Sequence, residues 1–282
     1  MSVRELTQIR VRTPDDAVLH LEGSRTGQAV LMLHGLGYAS WAAHQLRIAI
    51  DEDLSLWSLD NRGTGRSTRG LADLSIELLA EDTASAIEAL GRPAIVVGYS
   101  MGGYIAQLLA LSRPDLVTQL VLLGTSPGGP RAVPVPAQTL KVWLDAADQP
   151  PEEYARRTMP LSFSEGWPQS HSEEYEKVIQ ARLTYPTPGE IWREQYRACE
   201  RFLQTGAQTA QISVPTLVIH GGADRVLPPA NGRAIARMLP TAPYRELPDA
   251  GHLLHLEQPD IIAAEVRRFV SPLIHNHGNT KE

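Results

Sequence analysis

The sequence predicts an α/β fold: a mostly parallel central sheet flanked by helices, with a helical insertion over the carboxyl edge of the sheet. Two observations carry this. Short apolar runs alternate with amphipathic stretches through residues 1–125, and again through 212–271. Between them, residues 126–211 hold proline-broken helical patterns, many aromatic residues and no good strand candidate. Strand, helix and strand at such spacing imply βαβ crossovers, whose strands run parallel.

Taken in order, residues 29–33 (AVLML) read as a buried strand ending at His34-Gly35. Residues 54–59 are a second, ending at Asp60. A helix follows over about 75–90, with Ile76, Leu79, Thr83, Ala86, Ile87 and Leu90 on one face. Gly91 marks its end, and Pro93 blocks continuation. Residues 94–97 are a third strand, 101–111 a helix and 117–123 a fourth strand.

The insertion opens on Pro127-Gly128-Gly129-Pro130, which is loop chemistry. Its helices carry Trp143, Trp167 and Trp192 with several tyrosines. As a cap (lid) over the sheet edge, it would offer those tryptophans to a substrate. Alternation then resumes: a strand at 216–220, a helix at 231–238, a short strand at 244–247 and a closing helix at 259–270. The tail, 271–282, reads as polar and frayed. The core domain is therefore expected in two pieces, 1–125 and 212–282.

Bulk properties narrow the function. Twenty-six basic and 32 acidic residues give a net charge of −6. That balance argues against binding nucleic acid by phosphate neutralisation. Cys199 is the single cysteine, so no internal disulfide forms and no cysteine metal site exists. No apolar run approaches the ~18 residues a membrane span needs, and the N-terminus lacks a signal-peptide core. A cytoplasmic protein is expected, with no membrane partner. Nothing in the chain specifies an oligomeric state.

Chemistry concentrates at Gly98-Tyr99-Ser100-Met101-Gly102, a G-x-S-x-G turn. An apolar strand leads in and a helix former leads out, which is the context the pattern requires. A turn this sharp strains its middle residue and leaves no room for side chains at Gly98 and Gly102. Gly103 would let the new helix approach its neighbours closely. Ser100 is raised at a helix N-terminus, where developing negative charge is favoured.

A serine hydroxyl is a weak nucleophile without a base, and the base needs an orienting acid. His252, in Ala250-Gly251-His252, lies in a loop in the right chain order. His255 is its competitor, though it belongs to the apolar run LLHLEQP. Asp224 is the preferred acid, just past a strand; Asp249 and Asp60 are the rivals. Two oxyanion donors are needed. The Met101 amide follows from the turn, and Leu36, in His34-Gly35-Leu36-Gly37, is the expected second. His34 reads as a loop-stabilising residue.

HGLG at 34–37, DNRGTGRS at 60–67, GYSMGG at 98–103, GGAD at 221–224 and GHLLHLEQP at 251–259 fall in one order and spacing. In this the sequence resembles the α/β-hydrolase superfamily over nearly the whole chain outside the insertion. Within it, the SMGG turn is most similar to carboxylesterases, enol-lactonases, cofactor-free haloperoxidase-like esterases and carbon–carbon bond hydrolases. The resemblance implies a two-step acyl-enzyme mechanism at Ser100, with Asp60 and Arg62 structural. The leading expectation is a serine hydrolase acting on a small-molecule carboxylic ester or lactone. Two alternatives stand beside it: cleavage of a diketone-type C–C bond by the same residues, and a ligand-binding protein with little turnover. No P-loop, dinucleotide fingerprint or metal-ligand spacing is present, so no cofactor and no metal are expected.

Overall fold

A computed structural model describes residues 6–50 and 54–274, with the side chains of 272–274 left aside. Eight strands form one sheet: β1 (Thr7–Arg12), β2 (Val18–Gly23), β3 (Gln28–Leu33), β4 (Leu54–Asp60), β5 (Ala94–Tyr99), β6 (Val117–Leu123), β7 (Thr216–Gly221) and β8 (Tyr244–Leu247). Their order is β1-β2-β4-β3-β5-β6-β7-β8. The β1–β2 and β2–β4 pairs are antiparallel, and every other pair is parallel.

Helices α1 (His44–Ala49), α2 (Ile76–Leu90) and α3 (Met101–Ser112) lie between the early strands. Five more follow β6: α4 (Ala137–Ala146), α5 (Pro151–Thr158), α6 (Trp167–Ser170), α7 (Ser172–Thr184) and α8 (Gly189–Thr205). Then come α9 (Ala230–Met238), α10 (Leu254–Glu257) and α11 (Pro259–Ile274). Residues 126–211 hold helices and loops and no strand.

Local chemistry explains the boundaries. Ser75 caps α2, its hydroxyl accepting from Leu78 N–H at 3.1 Å. Gly91 ends the same helix in the left-handed region at φ 75°. All residues of β4 and β5 are buried, as expected for strands covered on both faces. The apolar side chains accordingly fall into two clusters. One contains Leu31, Leu33, Val96 and Ile105; the other contains Val30, Met32, Ile95 and Val97. Alternate residues of β3 and β5 thus feed opposite sides of the sheet.

Two corrections concern the chain ends. The sequence suggested no strand before residue 29, yet β1 and β2 form an antiparallel start to the sheet. β1 is an edge strand whose residues alternate half-buried and exposed, so its apolar signal is only Ile9 and Val11. The closing helix also runs past 270 to Ile274, into the segment expected to fray. Residues 275–282 of that tail lie outside the described residues.

Candidate active site

Ser100 sits between β5 and α3 with φ 54° and ψ −119°, a conformation L-residues adopt only under strain. Tight packing imposes it. A Cβ on Gly102 would stand 2.2 Å from Leu33 O, and one on Gly98 would stand 2.5 Å from Gly102 O. Ser100 N–H donates to Leu123 O at 3.0 Å. The Thr125 hydroxyl donates to Ser100 O at 2.8 Å. β6 and the loop after it thus hold the turn from the side.

Across from Ser100 stands His252, in the loop between β8 and α10. Its Nδ1 lies 2.7 Å from Asp224 Oδ2 and its Nε2 lies 2.9 Å from Ser100 Oγ. A carboxylate only accepts, so Nδ1–H donates and Nε2 is left to accept the Ser100 hydroxyl. Asp224 Oδ1 accepts from the Val226 and Leu227 amides, both at 2.8 Å. Burial pushes the Asp224 carboxyl up, but the neighbouring His252 and hydrogen bonds from His220 and His252 outweigh it and hold it at about 2.

The rivals lie elsewhere. Asp249 is exposed. Asp60 accepts from the Ser40 and Arg66 amides at 2.7 and 2.9 Å, bracing its own loop. His255 is fully buried against the Tyr99 ring, centroids 4.4 Å apart, and neither ring nitrogen bonds to a described residue. Burial brings its pKa down to about 3. His34 is buried as well, 2.6 Å from the Ser58 hydroxyl, and burial lowers it to about 4.

Leu36 lines a narrow cavity of about 30 Å³ together with Ser100 and His252. Met101 opens α3 immediately beyond Ser100. The loop carrying Leu36 is pinned by residues with no signal in the sequence. Gln195 Oε1 on α8 accepts Gly37 N–H at 2.8 Å, and the Thr187 hydroxyl donates to Gly37 O at 3.1 Å.

The three tryptophans part company. Trp143 lines the Ser100 cavity, with Tyr38, Tyr154, Thr158, Ser162 and Arg182. Trp167 stacks between Phe163 and His171, outside that cavity. Trp192 stacks on Tyr196 and covers Gly37. A wider cleft of about 600 Å³ lies between the α4–α5 loop and the α7–α8 connection. Tyr154 and Arg182 line both spaces. The Arg182 guanidinium lies over the rings of Tyr38, Tyr154 and Trp41, at 4.8, 5.4 and 5.9 Å. The helical phases of this segment are ambiguous in sequence, which is why Gln195 and Arg182 escaped notice and Tyr154 stood only among the segment's aromatic residues.

Among the described residues, no group of three or more His, Cys, Asp or Glu is arranged to hold a metal ion. No helix among them is long and apolar enough to cross a membrane.

Comparison with known proteins addresses the family and the fold. The chain is 31% identical over 263 residues to BpoC of Mycobacterium tuberculosis, which carries the name of a non-heme bromoperoxidase; the match covers 89% of this chain and 97% of that one. The fold superposes on a thermophilic esterase from Thermogutta terrifontis with a TM-score of 0.77 and 27% identity, covering 94% and 98% of the two chains. It also superposes on the enol-lactonase of Burkholderia xenovorans LB400, with a TM-score of 0.77 and 23% identity over 90% and 97%, a likeness of fold. The alpha/beta hydrolase fold family profile matches residues 28–259. This chain, with its strand–serine–helix turn and its mostly parallel sheet, belongs to the α/β-hydrolase superfamily.

Proposed function

We propose that the protein is a serine hydrolase that cleaves a carboxylic ester or lactone through an acyl-enzyme on Ser100. The observation that carries this is the continuous relay from Ser100 Oγ to His252 (2.9 Å) and from His252 to Asp224 (2.7 Å), headed by a serine at a helix N-terminus. As Ser100 Oγ adds to the substrate carbonyl, its proton passes to His252 Nε2. Asp224 holds the ring in the required tautomer and stabilises the imidazolium. The Leu36 and Met101 amides receive the oxyanion. His252 then protonates the leaving alcohol oxygen, the C–O bond breaks, and Ser100 is acylated. Water attacks the acyl-enzyme with His252 as base, and the acid departs.

Residues 126–211 act as a cap in this reading. The cavity at Ser100 is too small for a substrate as it stands, and the larger cleft adjoins it at Tyr154 and Arg182. That supports a small-to-medium, partly apolar substrate whose far end reaches among the cap helices, with Trp143 beside the carbonyl. The test is pre-steady-state hydrolysis of p-nitrophenyl butyrate. A burst of one nitrophenol per chain, followed by turnover and abolished in Ser100→Ala, is expected. A burst that survives Ser100→Ala overturns the nucleophile. Stoichiometric labelling without turnover would mark a ligand-binding protein instead.

A further inference from the structure

The His252 loop is tied down on both sides of the imidazole by the segment between α5 and α6. After His252, Leu253 N–H donates to Ser162 O at 2.8 Å. Before it, Gly251 N–H donates to Glu257 Oε1 at 2.9 Å. The same oxygen accepts Ser164 N–H at 3.1 Å, and Glu257 Oε2 accepts the Ser164 hydroxyl at 2.5 Å. The junction is tight: a Cβ on Gly251 would stand 2.3 Å from Ser164 N and 2.8 Å from Glu257 Oε1. Arg225, next to Asp224, grips the same segment by donating Nη2–H to Pro160 O at 2.7 Å and Phe163 O at 3.1 Å.

This is an unusual use of a carboxylate. Residues 248–253 are turn and irregular structure, so no strand ladder satisfies the Gly251 amide. A buried N–H needs an acceptor, and a carboxylate offers two oxygens that only accept. Glu257 is half-buried, and the hydrogen bonds its carboxylate accepts among the described residues all come from Gly251 and Ser164. It joins the loop that carries the imidazole to the segment that carries Ser162, a residue lining the Ser100 cavity.

We propose that Glu257 is a positioning residue for His252. By bridging Gly251 to Ser164, it fixes the height of the imidazole over Ser100, so that the seating of residues 160–164 sets how well the base reaches the hydroxyl. This rests on His252 being the base. The reach matters because a misplacement of about 1 Å at a reacting group costs up to ~10²-fold in rate.

The experiment compares Glu257→Ala, Glu257→Gln, Ser164→Ala and His252→Ala on p-nitrophenyl butyrate. Functional chains are counted by exhaustive labelling of Ser100 with a fluorophosphonate, and the initial labelling rate is a second readout. Glu257→Ala should lower kcat by ~10- to 100-fold at a KM within about threefold, and slow initial labelling by the same factor. Glu257→Gln should recover to within about threefold of the wild type, because its amide oxygen still accepts both N–H groups. Ser164→Ala, which keeps the Gly251 bond, should lose about two- to fivefold. A kcat per labelled chain unchanged in Glu257→Ala overturns the proposal, as does a Gln variant no better than Ala. Should Glu257→Ala fail to fold, unchanged kcat and labelling rate in Ser164→Ala overturn it. Retained activity in His252→Ala sinks the base assignment itself. Activity lost there but kept in Glu257→Ala sinks only the positioning role.

Discussion

Asp224 divides its donors by kind: two backbone amides on Oδ1, and on Oδ2 the His252 ring with His220 Nε2 at 3.2 Å. The amide pair fixes where the carboxylate points, and the histidine side determines what it does. Burial pushes the group up, but His252 and the hydrogen bonds of both histidines bring it to about 2. Because its folded value is depressed, this carboxylate contributes stability above its ordinary value near 3.8, and that contribution fades as pH falls toward about 2. Asp224 thus stays charged throughout the working range of an enzyme. In Asp224→Asn the amide oxygen can keep the two backbone donors, while its NH₂ faces His252 Nδ1. The ring then turns to the tautomer with Nε2–H, which cannot accept the Ser100 proton. A loss of about 10⁴ in kcat is expected, by analogy with other Ser-His-Asp sites. Asp249→Asn, at an exposed loop position, should stay within about twofold, since surface changes of this kind are nearly neutral. Comparable losses in both variants, measured on the same nitrophenyl ester, would mean the acid is misassigned.

Between elements, a buried electrostatic tie is made by Arg62, just after β4. Its Nε and Nη2 donate to Asp82 on α2 at 2.7 and 2.6 Å. Nη1 and Nη2 donate to Asp15, in the β1–β2 turn, at 2.7 and 3.2 Å. With 1% of its side chain exposed, Arg62 joins a parallel strand, a flanking helix and the antiparallel start of the sheet. Arg62→Ala leaves two carboxylates facing each other without their cation. A loss of about 3–5 kcal/mol is expected from urea denaturation, the usual cost of breaking a buried pair from one side. Arg62→Lys should recover little of it, because a single ammonium cannot serve two forked partners. A loss under about 1 kcal/mol for Arg62→Ala would place this cluster with ordinary surface ion pairs. The same elements explain what was legible beforehand. Turns such as 98–103 and 221–224 declare themselves because the backbone constraint lies within a few residues. The structural role of Arg62 came only with the resemblance, since its partners lie 20 and 47 positions away. Gln195, 158 positions from Gly37, had no local signature at all. β1 escaped for another reason: a half-exposed edge strand needs only two apolar residues to form.

At the scale of the molecule, closing both faces of the sheet traps histidines that the proposed chemistry does not use. His34 at the end of β3 and His255 in α10 are fully buried, and burial lowers them from an ordinary value of 6.5 to about 4 and about 3. The unfolded chain protonates both near 6.5, while the folded chain resists. Between 6.5 and about 4, the unfolded state therefore binds more protons, and stability must fall as pH falls. Each histidine contributes a slope of about 1.4 kcal/mol per pH unit at most. His255→Phe isolates one of them. The ring packs on Tyr99 at a tilt and neither nitrogen bonds to a described residue, so an aromatic replacement loses no hydrogen bond and keeps the ring contact. Urea denaturation at pH 7.5 and pH 5 should show a clearly smaller acid loss in His255→Phe than in the wild type. Turnover of p-nitrophenyl butyrate at pH 7.5 should remain within about threefold of the wild type, because this imidazole does not reach Ser100. An unchanged pH slope would mean that His255 is already charged when folded. A collapse of activity in a variant that still folds, with activity retained in His252→Ala, would make it, and not His252, the base.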